Sequence, residues 1–233
     1  MKLLTTSNPK TTKGEKRGYH TAILHLLPSD LSGRNVCPHA SPGCRKACLN
    51  EAGRGAMQSV KDSRKRKTDY FFKNRKLFMS QLTKEIEAHV RAADRKGLTP
   101  AVRLNGTSDL PFERIAATDD GRNIFQLFRD VQFYDYTKTL NRALESVQSR
   151  TWDRNYHITF SRSECNDAEV ATALEAGVNV AVVFDTLPRH YGTVPVVDGD
   201  LSDLRFLDPA GVVVGLKAKG PARRDDSGFV VLS

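Results

Sequence analysis

Apolar residues along this chain fall into two rhythms. Short, nearly continuous runs such as "YHTAILHLL" (19–27), "AVRLNG" (101–106), "VQFYDY" (131–136), "YHITFS" (Tyr156–Ser161) and "VNVAVVFD" (178–185) predict buried strands. Between them the spacing is helical. No proline occurs from Gly55 to Lys96, and Phe71, Phe78, Leu82, Ile86 and Val90 recur at seven and then four residues, which predicts one long amphipathic helix or two in succession. Gly97 and Pro100 are expected to stop it. Residues 113–130 read as helical in parts, and "TLNRALESVQS" (139–149) as a helix. "NDAEVATALEAG" (166–177) reads as another, with Asn166 as N-cap and Gly177 as its stop.

Strands alternating with helices predict a mostly parallel sheet of right-handed βαβ units. After Asp185 the units shorten: "VPVVDGD", "LRFLDP" and "VVVGLKAKG" read as short strands without full helices between them. The expected fold class is therefore α/β, a partial or degenerate (β/α) barrel with a long helical segment after a cysteine-bearing loop. One domain over residues 1–233 is expected, with an N-terminal arm at 1–18, the cysteine loop at 28–54 and a C-terminal tail at 221–233 that covers an edge or closes the barrel.

No stretch approaches about 18 consecutive apolar residues, so neither a membrane partner nor a signal peptide is expected, and the reading is cytoplasmic. The net charge is +9, and it is unevenly placed: residues 1–100 hold 21 Lys and Arg against 8 Asp and Glu. The excess surrounds the cysteines and the helix after them, above all Arg64, Lys65, Arg66 and Lys67. Such a run suits an anionic partner, nucleic acid or a phosphorylated substrate, and it suits a solvated helix face equally well.

Chemistry concentrates in "NVCPHASPGCRKACLNEAGRG" (35–55), which places Cys37, Cys44 and Cys48 within twelve residues and leaves Cys165 as the one other cysteine. In a reducing compartment clustered thiols point to metal or redox chemistry rather than to disulfides. The spacing is not the paired C-x2-C of zinc sites, and Pro38, Pro42 and Gly43 turn the loop tightly. Three thiolates on one loop favour an iron–sulfur cluster. Closure by Cys165 or His39 would instead make a filled iron–sulfur or zinc site, and unligated packed cysteines remain open as well.

Each expected strand end carries polar groups: Asn105, Thr107, Ser108 and Asp109; Asp135, Tyr136 and Lys138; Ser161, Arg162, Ser163 and Glu164; Asp185; Lys217 and Lys219. That is where a parallel barrel assembles its site. His20, His25 and His157 lie in expected strands and read as packed imidazoles, whereas His89 and His190 read as solvent-facing. The usual hydrolase, zinc-protease and nucleotide-loop motifs are absent.

A cysteine loop directly after the first strand of a partial barrel resembles the radical S-adenosylmethionine (SAM) superfamily. The phrases "LLTTSNPKTTKGEKRGY", "CPHASPGCRKACLNEAGRG", "VRLNGTSDLPFE", "FYDYTK", "YHITFSRSE" and "GLKAKG" resemble, over nearly the whole chain, the phage and prophage domain called gene product 88. The superfamily resemblance implies a [4Fe-4S] cluster on Cys37, Cys44 and Cys48, with SAM on the fourth iron and an unnamed reductant. It places Asn105, Thr107, Ser108 and Asp109 near the SAM amine, and Ser161 and Glu164 near its ribose. The chain departs from it in its x6 and x3 spacing, in lacking a Gly-Gly-Glu after the second strand, and in having Ala47 and Leu49 rather than an aromatic beside Cys48. Two functions follow as expectations. The first is a radical-SAM-like enzyme acting on nucleic acid or a nucleotide-derived substrate; the second is a non-catalytic, metal-stabilised module that binds nucleic acid or a host protein.

Overall fold

A computed structural model describes residues 1–7 and 9–233. In chain order its elements are β1 (Leu4–Thr5), α1 (Pro9–Glu15), β2 (Tyr19–Leu24), α2 (Pro42–Lys46), α3 (Gln58–Lys73), α4 (Arg75–Arg95), β3 (Thr99–Arg103), α5 (Ile124–Leu127) and β4 (Gln132–Thr137). There follow α6 (Leu140–Gln148), β5 (Tyr156–Ser161), α7 (Asp167–Glu175), β6 (Val180–Phe184), β7 (His190–Tyr191), β8 (Val194–Asp198), β9 (Val213–Lys217) and β10 (Val230–Val231). The class is mixed α/β with mostly parallel strands. Two compact units divide the chain: Met1–Cys37, Lys61–Asp135 and Asp153–His157 form the first, and Pro38–Val60, Tyr136–Trp152 and Ile158–Ser233 the second.

In the first unit β2 lies parallel to β3, and β3 to β4. Five of the six residues of β2 are buried, as the continuous apolar run requires of a strand covered on both faces. The N-terminal arm carries structure of its own. Leu4 and Thr5 pair antiparallel with Leu24 and Ile23, and the backbone N–H groups of Leu3 and Leu4 donate to the Glu85 carboxylate at 2.8–2.9 Å. The long helical segment is two helices, divided at Asn74, whose φ of −140° is outside the helical range. Helix α4 buries Phe78, Leu82, Ile86, His89 and Ala93. Its seam steps by three residues after Ile86 because 3.6 residues per turn cannot sustain a four-residue spacing, so His89 takes the inward position expected of Val90. Gly97, at φ 63°, ends this segment, whereas Pro100 lies inside β3.

The second unit orders its parallel strands around β6, which pairs with β5 at Val180 and Ala181 and with β9 along its whole length. Beyond the reach of β5, β10 takes over the same strand at Val183 and Phe184. Strand β8 continues from β9 in parallel, and the short β7 turns back on β8. Helix α7 ends before Gly177 at φ 81°. Asn166 sits at the N-cap position but makes no capping bond; its Oδ1 accepts the Ser163 N–H at 2.6 Å and its Nδ2 donates to Ser161 O at 3.1 Å. The expected strand "LRFLDP" is a 3-10 turn at Arg205–Leu207, because Arg205 is drawn inside: it is 1% exposed, donates to Ser202 O and lies 3.2 Å from Asp208.

Candidate metal centre

The cysteine loop begins at a left-handed residue. Ser29, at φ 55°, is the single non-glycine with positive φ among the described residues. Its N–H thereby faces the Sγ of Cys37 at 3.3 Å, and its carbonyl accepts the Val36 N–H at 2.9 Å. The conformation costs about 1 kcal/mol for an L-residue. The sulfur itself donates to Thr107 O at 3.7 Å.

That carbonyl is held by the loop after β3. Gly106 N–H donates to Leu24 O at 2.9 Å, and a Cβ on Gly106 would stand 2.7 Å from the same oxygen, so only glycine fits there. Thr107 Oγ1 donates to Leu26 O at 2.6 Å. Asn105 is buried with its amide fully committed. Its Oδ1 accepts the Ser108 hydroxyl and the Leu110 N–H, both at 2.8 Å, and its Nδ2 donates to Leu110 O at 3.0 Å and Asp135 at 3.2 Å. Asp109 is buried, and its N–H donates to Val36 O at 2.8 Å. These four residues therefore brace the segment beside Cys37. Asp135, fully buried, anchors them: it accepts the Asn105 N–H at 2.7 Å and the Tyr156 hydroxyl at 3.1 Å, with Arg103 Nε at 3.9 Å.

In the second unit Cys44 rides on α2. Ser41 is the N-cap of this helix and its Oγ accepts the Cys44 N–H at 3.2 Å, with Pro42 at the first helical position. Cys44 is packed against Ala47, Ala218, Ala222, Phe229 and Val230. Cys48 caps the following 3-10 turn, its Sγ accepting the N–H of buried Asn50 at 3.5 Å. Glu164 reaches α2 from the loop after β5, accepting the Ser41 hydroxyl and the Gly43 N–H, each at 2.7 Å. Burial raises its pKa, but these two bonds outweigh that and leave it below the usual glutamate value. Ser161 is half-buried at the end of β5.

None of the four cysteines forms a disulfide: Cys37, Cys44 and Cys48 are half-buried and Cys165 is exposed. His39 is also exposed. Among the described residues, no group of three or more His, Cys, Asp or Glu side chains is assembled as a metal ion would need. The family description "Gene product 88" matches residues 2–232. The chain belongs to the gene product 88 family. No curated protein and no solved structure matches it.

The basic run of this gene product 88 chain divides in three ways. Arg66 is exposed, and Lys65 pairs with Asp69 at 2.9 Å. Arg64 is half-buried. Lys67 turns inward, 6% exposed, and donates to Leu3 O at 2.8 Å; burial lowers its pKa. Its ammonium is thus taken from the outer face that the sequence assigned to it. No helix among the described residues is long and apolar enough to cross a membrane.

Of three contributors not assigned these roles from the sequence, two carry no signal there. Ser29 carries no local signal for its left-handed turn, and Gly43 none for its close approach to Glu164. Ser41 did carry one, since Ser followed by Pro marks a helix start.

Proposed function

We propose that this gene product 88 chain is an iron–sulfur protein with a partial-barrel scaffold that holds a [4Fe-4S] cluster on Cys37, Cys44 and Cys48 and acts on a nucleic-acid or nucleotide-derived substrate. The observation that carries this reading is the state of the three thiols. All lie within twelve residues, none is in a disulfide, and two of the sulfurs already accept a backbone N–H, from Ser29 and from Asn50. N–H groups aimed at sulfur favour the thiolate that a metal requires, and they tune a cluster's potential. Thiols are the donor type that iron–sulfur clusters take, and binding iron would require the three, which are not gathered in the described structure, to converge and Cys37 to give up the proton it now directs at Thr107 O.

When bound, such a cluster would pass on one electron drawn from an external reductant, to SAM in the superfamily that the chain resembles. The chain's own residues position and shield. Asn105, Thr107 and Ser108 brace the loop under Cys37. Apolar side chains pack around Cys44 and reduce its access to water. Asp109 and Ser161 are proposed as SAM-facing groups. Exposed Arg66 and Lys65 offer phosphate contacts.

Anaerobic purification followed by iron and acid-labile sulfide analysis tests the cluster. About four irons and four sulfides per chain, lost in Cys37→Ser, Cys44→Ser and Cys48→Ser, are expected for a [4Fe-4S] centre. A colourless, iron-free protein would overturn the reading, and zinc without sulfide would replace it with the structural module. Release of 5′-deoxyadenosine from SAM under reduction tests the enzymatic part.

A further inference from the structure

We infer that Glu164 is the positioning residue of the cysteine loop, setting the direction in which Cys44 presents its sulfur. The role of Cys44 as a ligand rests on the iron–sulfur reading; the grip of Glu164 on α2 does not.

Helix α2 has five residues, too few to hold a helical turn unaided, so its orientation must come from tertiary anchors. Lys46 with Asp226 at 2.8 Å is one, but both side chains are largely exposed and such pairs contribute little. Glu164 is the strong one. Its Oε1 accepts the Gly43 N–H and its Oε2 the Ser41 hydroxyl, while the same hydroxyl accepts the Cys44 N–H. The carboxylate thus reaches the backbone of Cys44 through one intervening oxygen, by bonds strengthened by its charge.

The surroundings are built for this contact. A Cβ on residue 43 would stand 2.8 Å from both Glu164 Oε2 and Phe229 Cβ, so glycine lets the helix come within reach. The loop bearing Glu164 is itself pinned: Asn166 Oδ1 holds the Ser163 N–H, and Arg162 binds Asp167 at 2.9 Å and the carbonyls of Gly228 and Phe229 at 2.5 and 3.2 Å. Both partners of the carboxylate are donors, so an amide would set its own NH2 against one of them. Asp225 is the charged group that acts on Glu164 from the C-terminal segment; it raises the Glu164 pKa and is itself held by Ser227 and the Val230 N–H.

The test uses the full chain with Cys37, Cys48 and Cys165 replaced by Ser, so that Cys44 is the sole thiol, and measures its modification by 4,4′-dithiodipyridine from pH 3.5 to 7. Glu164→Gln is expected to speed modification at pH 7 by about tenfold, as loss of a charge-assisted bond implies, with Glu164→Asp in between. In the parent, protection should fall away as pH drops through the depressed pKa of Glu164; in Glu164→Gln that step should vanish, and in Asp225→Asn it should persist. Equal rates and equal pH profiles in parent and Glu164→Gln would overturn the inference. Should Glu164→Gln fail to fold by circular dichroism, Ser41→Ala, which removes the relaying hydroxyl, must show the same acceleration or the inference falls. An iron-free parent in the unmodified cysteine background, together with Cys44 rates altered by Glu164→Gln in the single-thiol background, would sink the iron reading alone. An iron-loaded parent whose spin-resonance spectrum is unmoved by Glu164→Gln, together with unmoved Cys44 rates in the single-thiol background, would sink the positioning role alone.

Discussion

Ser29 holds its backbone N–H 3.3 Å from the sulfur of Cys37 from a left-handed conformation that no other described non-glycine residue adopts. Strain beside a reactive group is retained when the surroundings over-determine it. Ser29→Gly keeps the N–H and removes the strain, so thermal unfolding should move up by the equivalent of at most about 1 kcal/mol, with Cys37 reactivity unchanged. Ser29→Pro removes the N–H and cannot reach φ 55°; it should destabilise the first unit and speed Cys37 modification.

His89 predicts a pH dependence. Its Nε2 lies 3.0 Å from His20 O and 3.2 Å from Ala101 O, so it carries the proton, while Nδ1 is buried without a hydrogen-bond partner. Burial, and then the stacked His20, push its pKa down to about 4; His20 faces Glu15 at 3.0 Å, which also binds Lys96. The folded pKa lies below the unfolded value, so the neutral imidazole's contribution is complete above about pH 6.5 and drains as pH falls toward 4. Between pH 7 and 5 the urea midpoint should fall by the equivalent of about 2 kcal/mol, and by much less in His89→Asn. A midpoint flat in the parent over that range would remove the argument.

Lys67 and Arg66 are neighbours of opposite exposure, the first buried and the second open to solvent. Arg66→Ala should weaken binding to single- or double-stranded DNA and flatten its salt dependence, together with Lys65→Ala. Lys67→Ala should leave the salt slope alone and cost about 1–3 kcal/mol of stability, because Leu3 O loses its buried donor. Fluorescence anisotropy at several salt concentrations separates the two; a parent that binds no DNA removes the phosphate contacts.

Asp135 gathers donors from two strand ends. Asp135→Ala would leave the Asn105 N–H and the Tyr156 hydroxyl without their acceptor beside buried Arg103, and a loss of about 3–5 kcal/mol is expected. Chemical denaturation measures it, and a loss under about 1 kcal/mol would show that these donors find other partners.

Periodicity made the parallel strands and α4 legible, because burial on both faces forces continuous apolar runs and a helix forces a seam. Tyr156–Ser161 is read from sequence with its bounds intact. What escapes is set by particular contacts. His89 turns inward because a four-residue stripe must slip by one, and Lys67 because the N-terminal arm supplies a carbonyl for it. Arg205 reads as part of a strand, yet Ser202 and Asp208 draw it into a 3-10 turn. In the cysteine loop the thiols are visible in the sequence while their supports are not, since Ser29, Gly43 and Glu164 act through backbone geometry and long-range bonds.

Strand β10 lies beside the second half of β6, whose own residues are synthesised some fifty positions earlier. Translation must therefore run past Val231 before that strand gains its last neighbour, and until then a row of peptide groups next to the Cys44 helix waits unmatched. Ribosome-bound chains arrested short of Val230 should keep the second unit labile to protease, whatever their supply of iron.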